Sequence, residues 1–375
     1  MVLLLALSPS LLAQGVRSAT IADGGNWNVL AISTDSTVLF GQQFNKLGRS
    51  TDHGATWSTL HTFTTSGNAN VYGVRQLDNG ELLVSQSYGG GESGKLFLST
   101  GYPTLGASAT WVKVLDTGGG VSTSVYISGQ WGMSSYKNIV VVSEYGLKLT
   151  NNNSRFAYIS QDYGQTFASI FDIGNSSDGQ THVHGTAYDP WWDAIWLVNG
   201  DTSANRATRV SFDHGTTWRV IDTSHQFTGI LPLPSAIIFL SDTDPSGVYT
   251  IPRGSKDSIA APSVVVNLGS GLIYQGQMPF RSNAGLHLCL LPFTSGTTEP
   301  GVLVATYDGI HFVTLWTDTI SYGAGQGLLN IVGPMDNGLI YGALYDGRQS
   351  NYSKLTFQYV TSGMAGMKFG GTSFQ

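Results

Sequence analysis

The chain has 375 residues, of which 41% are hydrophobic, 11% aromatic and only 11% charged, against the roughly 25% charged residues of an ordinary soluble domain. That apolar content can bury a large core and excludes a disordered chain despite 48 glycines, which follow no G-X-Y period and so exclude a collagen-like rod. A net charge of −6, with 18 Lys and Arg scattered along the chain, argues against a non-specific grip on nucleic acid, and one cysteine, Cys289, excludes an internal disulfide and a Cys-built zinc site.

Residues 1–15 are apolar but too short to span a bilayer, and no later stretch is long enough either. They read as a secretory leader ending near Ala13, or as a retained apolar arm that pairs with a second copy of the chain. Residues 16–22 read as a strand. A short pattern then recurs: Ser50-Thr51-Asp52-His53-Gly54-Ala55-Thr56-Trp57, Ser160-Gln161-Asp162-Tyr163-Gly164-Gln165-Thr166-Phe167, and Ser211-Phe212-Asp213-His214-Gly215-Thr216-Thr217-Trp218. Weaker copies stand at Ser99-Thr100, where an insertion precedes Ala109-Thr110-Trp111, and at 305–312, which ends in Phe312. The aromatic anchors fall about fifty residues apart, which leaves room for a copy without the motif near Ser263-Val264-Val265-Val266.

Between these motifs, short apolar runs alternate with Gly, Asp, Asn and Pro turns. In the fourth unit the runs are 181–188, 194–198, 206–212 and 218–221. Four hairpin-linked strands in about fifty residues make one propeller blade. The expected fold is therefore all-β: a single β-propeller over 16–360, with seven four-stranded blades at 27–63, 69–118, 130–174, 181–224, 227–269, 273–319 and 327–360. Six and eight blades are the alternatives. The last unit lacks a fourth strand, which either residues 16–22 or Met367-Lys368-Phe369 can supply. Residues 361–375 are a Gly-rich final strand or tail.

The S-x-D-x-G-x-T-[WF] copies resemble the Asp-box, or BNR repeat, of sialidases and other extracellular propellers. The resemblance implies that each box is the turn between the third and fourth strands of a blade, away from the face that binds substrate. Asp52, Gly54 and Trp57, Asp162, Gly164 and Phe167, and Asp213, Gly215 and Trp218 are accordingly structural: the carboxylate caps its own turn, the glycine takes positive φ, and the ring packs between blades. The chain departs from the sialidase pattern elsewhere. The opening stretch of the first blade, residues 27–33, holds no arginine, Ile251-Pro252-Arg253 is late and reversed, and only Arg75 and Arg281 stand in expected innermost strands. Of four glutamates, only Glu144 invites pairing with a tyrosine.

The richest polar stretch runs from His182 to Asp193. An H-x-H on one strand puts His182 and His184 on one face. With Tyr188 they are the catalytic candidates, a base and an acid for cleaving an acidic polysaccharide. Arg75, His184, Trp191, Trp192 and Arg281 are the candidate ligand-binding set, with sugar rings stacking on the tryptophans. The competing reading has the histidines bonding within the channel wall and the tryptophans packing between blades. No metal and no cofactor is expected, since two histidines fall short of the usual three zinc ligands. The expected function is a non-catalytic extracellular, cell-surface or virion-surface propeller, such as a phage tail or surface-filament component, that binds glycan or assembles with copies of itself. The alternative is a polysaccharide lyase or glycosidase.

Overall fold

The computed structural model describes residues 18–23, 27–63, 69–88, 94–117, 125–127, 132–146, 156–174, 182–200, 206–241, 245–269, 274–276, 280–281, 289–295, 302–306, 309–317, 327–332, 335, 339–345 and 353–358. Among them the only helical pieces are Tyr102–Leu105 and the 3-10 turns Gly106–Ser108 and Lys256–Ser258. The described strands form seven antiparallel sheets, the first six each following the chain. The first holds Asn28–Ile32, Leu39–Gln43, Lys46–Ser50 and Ser58–Thr62. The second holds Ala69–Gln76, Leu82–Tyr88, Lys95–Thr100 and Thr110–Asp116. The third opens at Val125–Ile127, earlier than the sequence suggested, because Met133–Tyr136 pairs with the same second strand, Ile139–Gly146; Phe156–Ser160 and Ala168–Asp172 follow.

The fourth sheet holds His182–Asp189, Ala194–Gly200, Ala207–Ser211 and Arg219–Asp222, and the fifth Phe227–Pro232, Ala236–Ser241, Ser246–Pro252 and Ser263–Gly269. The sixth opens with Tyr274–Gly276 and Phe280–Arg281, both paired with Cys289–Ser295, and continues through Val302–Thr306 and Phe312–Thr317. The seventh takes Gly327–Val332, Leu339–Tyr345 and Ser353–Gln358 from the end of the chain and its outer strand, Ser18–Asp23, from the beginning. The competing segment 367–369 lies outside the described residues.

Each sheet packs on the next, and the seventh packs on the first. The core therefore lies between sheets. Phe40, Leu47, Phe63 and Leu82 fill the seam of the first and second; Trp196, Phe227 and Phe239 fill that of the fourth and fifth; Leu39, Val332 and Tyr341 fill that of the seventh and first. Ala194–Gly200 and Ala236–Ser241 are buried at every position because a neighbouring sheet covers each of their faces.

The three complete motifs occupy the turn between third and fourth strands of the first, third and fourth sheets. Their bonding is the same in each. The Asp213 carboxylate accepts from the Thr217 N–H at 2.8 Å, the Thr217 hydroxyl at 2.6 Å and the Ser211 hydroxyl at 2.8 Å, while the Gly215 N–H donates to Ser211 Oγ at 2.7 Å. Asp52 and Asp162 repeat the pattern with Thr56 and Ser50, and with Thr166 and Ser160. Each turn needs two successive left-handed residues, as at His214 (φ 53) and Gly215 (φ 93). A Cβ on Gly215 would lie 2.4 Å from the Ile170 Cβ of the preceding sheet, so the turn also requires the missing side chain for packing.

The ring that ends each motif packs back on the preceding sheet. Trp57 joins the cluster of Val332 and Tyr341, Trp111 that of Phe63, Phe167 that of Leu83 and Leu98, Trp218 that of Val141 and Ile195, and Phe312 that of Leu233 and Ile238. The motif is thus a side-chain-capped turn carrying an aromatic stitch between sheets. In the second sheet the insertion is the helical segment 102–108, and Glu81 supplies the carboxylate, accepting from the Ser99 hydroxyl at 2.5 Å and the Gly101 N–H at 2.7 Å.

The bonds to the carboxylates fix an expected acid response. The Thr56 hydroxyl, with the Thr56 N–H and the Ser50 hydroxyl, holds Asp52 at about 2, and the Thr217 and Ser211 equivalents hold Asp213 at about 2. Unfolded aspartate titrates near 3.9. Stability from these groups is therefore complete above about pH 4 and is lost as pH falls toward 2. Carboxyl NMR titration should give midpoints near 2 for Asp52 and Asp213. In the variant carrying D52N and D213N, the fall of Tm across that window should be shallower than in the parent; an unchanged acid limb would contradict this account of the turns.

Candidate functional site

His184 and Tyr188 sit near opposite ends of the strand His182–Asp189. At about 3.3 Å per residue their backbones are roughly 13 Å apart. A bulge between Val183 and Gly185 leaves His184 outside the regular pairing, so the simple alternation that put His182 and His184 on one face is interrupted. His184 is buried, and its Nδ1 lies 3.1 Å from the Phe227 carbonyl oxygen on the first strand of the fifth sheet. Tyr145 of the third sheet lies 6.0 Å from its ring. The His182 side chain lies outside the described residues. The structure thus places one histidine in a seam between sheets and does not bring Tyr188 to it.

Tyr188 belongs to the turn end, where the first-to-second and third-to-fourth turns of a meander meet. Its hydroxyl donates to Asp193 Oδ1 at 2.6 Å, and His214 Nε2, from the Asp213 turn of the same sheet, lies 2.8 Å from that oxygen. Burial, then the bond to Asp193, pushes the Tyr188 phenol above its ordinary value, so it holds its proton at neutral pH. The Tyr188 bond, then that of His214, lowers Asp193. This chain links two turns of one sheet.

Asp189, at the end of the same strand, is fully buried. It takes both arms of Arg253 at 2.9 and 2.8 Å, the Trp196 indole N–H at 3.2 Å and the backbone N–H groups of Trp191 and Trp192. Arg253, from the third strand end of the fifth sheet, also donates to the Leu233 carbonyl and lies 5.2 and 5.0 Å from the rings of Trp191 and Trp192. Trp192 is buried against Trp196 and Phe212. Trp191 is 37% exposed.

Arg75 is committed to the third sheet. Its Nε donates to Ser135 Oγ at 2.7 Å and its NH1 to the Met133 carbonyl at 3.2 Å. Burial lowers its pKa, against the nearby charge of Asp78. Arg281 stands on a first strand, but its side chain lies outside the described residues, as do the residues of most connections at the opposite end of the sheets. Glu144 is buried and accepts the Tyr158 hydroxyl at 2.6 Å, a carboxylate–tyrosine pair inside the third sheet. Among the described residues no three His, Cys, Asp or Glu are grouped to hold a metal ion.

Sequence reasoning missed Asp189, Arg253 and Glu81 as organising residues. Asp189 carries a local signal, a strand-ending Asp before Pro190-Trp191-Trp192, which suits a carboxylate capping the next N–H groups. Arg253 carries none, because its partner is 64 residues away.

No family model matches the chain, and no curated protein sequence does. Solved structures do resemble it. A chain in the crystal structure of the mitotic checkpoint complex is 12% identical, with a TM-score of 0.56 over 92% of each chain. YCF48 from Cyanidioschyzon merolae is 10% identical, with a TM-score of 0.52 over 91% of this chain and 98% of that one. A prolyl endopeptidase structure is 9% identical, with a TM-score of 0.50 over 89% of this chain and 46% of that one. At these identities the likeness concerns fold alone. With the seven meandering sheets it defines a β-propeller. No described helix is long and apolar enough to cross a membrane.

Proposed function

We propose that the chain is a seven-bladed Asp-box propeller working outside the cell or on a virion as a non-catalytic module that binds glycan and assembles with its own kind. One observation carries the reading: the groups that chemistry would use are engaged in structural bonds within or between sheets. Arg75 bonds Ser135, His184 lies against the Phe227 carbonyl, and Tyr188 bonds Asp193. Trp191, backed by the Arg253 guanidinium, is left as a sugar-stacking platform.

The test is incubation with acidic and neutral polysaccharides. Binding without cleavage is expected, and Trp191→Ala should weaken it about tenfold, consistent with losing one stacking contact worth roughly 1–1.5 kcal/mol. Binding equal in parent and variant would remove Trp191 from the site, and formation of unsaturated uronate ends would replace the binder with a lyase.

The enzyme alternative draws on the Glu144–Tyr158 pair, which is similar in kind to the Tyr–Glu nucleophile of sialidases. Turnover of a fluorogenic sialoside that disappears in Glu144→Gln would favour it. Against it, the carboxylate is fully buried.

A further inference from the structure

The outer seam between the first and second sheets holds a cleft of about 360 Å³ lined by His61, Phe63, Phe97, Ala109, Thr110 and Trp111. Its walls are aromatic. The His61 ring lies 5.3 Å from Trp111 at 30° and 4.5 Å from Phe63, while Phe63 lies 4.9 Å from Phe97. Trp111 holds the position that Trp218 holds two sheets on. The Trp218 indole N–H is consumed by the carbonyls of Ile170 and Gly215. Among the described residues the Trp111 N–H has no hydrogen-bond partner, and neither do the two ring nitrogens of His61 or the Thr110 hydroxyl. Thr110 is exposed, and His61 and Trp111 are half-buried.

We infer that this cleft is a second sugar subsite, taking one neutral pyranose ring against Trp111 and His61 with its hydroxyls on the imidazole, the indole N–H and the Thr110 hydroxyl. The inference rests on the glycan-binding reading above but concerns residues on another seam. A cleft of this volume falls within the range of small-molecule sites. None of its six lining residues is a carboxylate, lysine or arginine, so neither a cationic nor an anionic ligand finds a counter-charge there. A purely apolar ligand would strip water from three polar groups and return nothing. A pyranose meets both demands, with an apolar C–H face for the rings and hydroxyls for the polar rim. Burial lowers the His61 pKa, so its imidazole is neutral at physiological pH and offers one donor and one acceptor.

The experiment is titration of the full chain with cellotriose, chitotriose and maltotriose, followed by tryptophan fluorescence and by the His61 Cε1 proton in NMR. At least one trisaccharide should bind and shift that proton, and binding should weaken tenfold or more in both His61→Ala and Thr110→Val. His61→Gln, which keeps side-chain bulk, guards against a packing effect and should weaken binding in the same direction. Trisaccharide binding unchanged in both variants overturns the subsite. Absence of trisaccharide binding alongside Trp191-dependent binding of acidic polysaccharide overturns it too, while leaving the wider reading standing. No binding of any glycan removes the reading on which it rests.

Discussion

Asp189→Ala is expected to destabilise the fold by about 3–5 kcal/mol, read as a fall in denaturant midpoint at constant slope. The carboxylate is fully buried and the Arg253 side chain is 11% exposed, so removing one leaves the other as an uncompensated charge in a low-dielectric seam. The same change strands the Trp196 indole N–H and two backbone N–H groups that bond Asp189. Asp189→Asn separates charge from shape. It keeps an acceptor for those groups and loses the ion pair, and should fall between parent and Asp189→Ala. Replacing both partners together, as Asp189→Leu with Arg253→Met, should recover part of the loss, because a buried pair replaced by apolar groups no longer carries a desolvated charge. A loss under about 1 kcal/mol for Asp189→Ala would mean that water reaches the pair and screens it.

That pair also marks where sequence reasoning stops. The carboxylate-capped turns were legible because every bond in them falls within four residues, so the pattern itself carries the physics. The strand assignments of the fourth sheet were legible for a similar reason: short apolar runs end at Asp189-Pro190 and at the turn around Asp213. What joins one sheet to the next leaves no local trace. Arg75 finds Ser135 across 60 residues and Arg253 finds Asp189 across 64. Glu81 replaces a motif carboxylate from a hairpin that comes before its turn in the chain, so the second copy looks degenerate while its bonding is intact. His182 and His184 were joined by spacing alone, and a single bulge is enough to break that inference. The candidate site thus divided into a residue bonded within its sheet, Tyr188, one packed in a seam, Trp192, and one that is 37% exposed, Trp191.

Removing residues 1–23 is expected to cost about 3–9 kcal/mol, since six residues of backbone pairing with Ser353–Gln358 are lost and each bond is worth roughly 0.5–1.5 kcal/mol net. The effect should exceed that of trimming an ordinary terminal segment, because Ser18–Asp23 ties the beginning of the chain into the sheet built from its end. Without it, Ser353–Gln358 becomes the outer strand, and that sheet keeps only three strands to pack against the first and sixth. The bared edge would present a row of unpaired N–H and C=O groups, a template for another chain. Two measurements should move together: Tm falls, and light scattering shows association that grows with concentration. Adding a peptide with the sequence of residues 16–24 should reverse both, by re-forming the pairing in trans. A truncated chain that melts with the parent and stays at the parent's mass would mean that the strand contributes nothing to closing the fold.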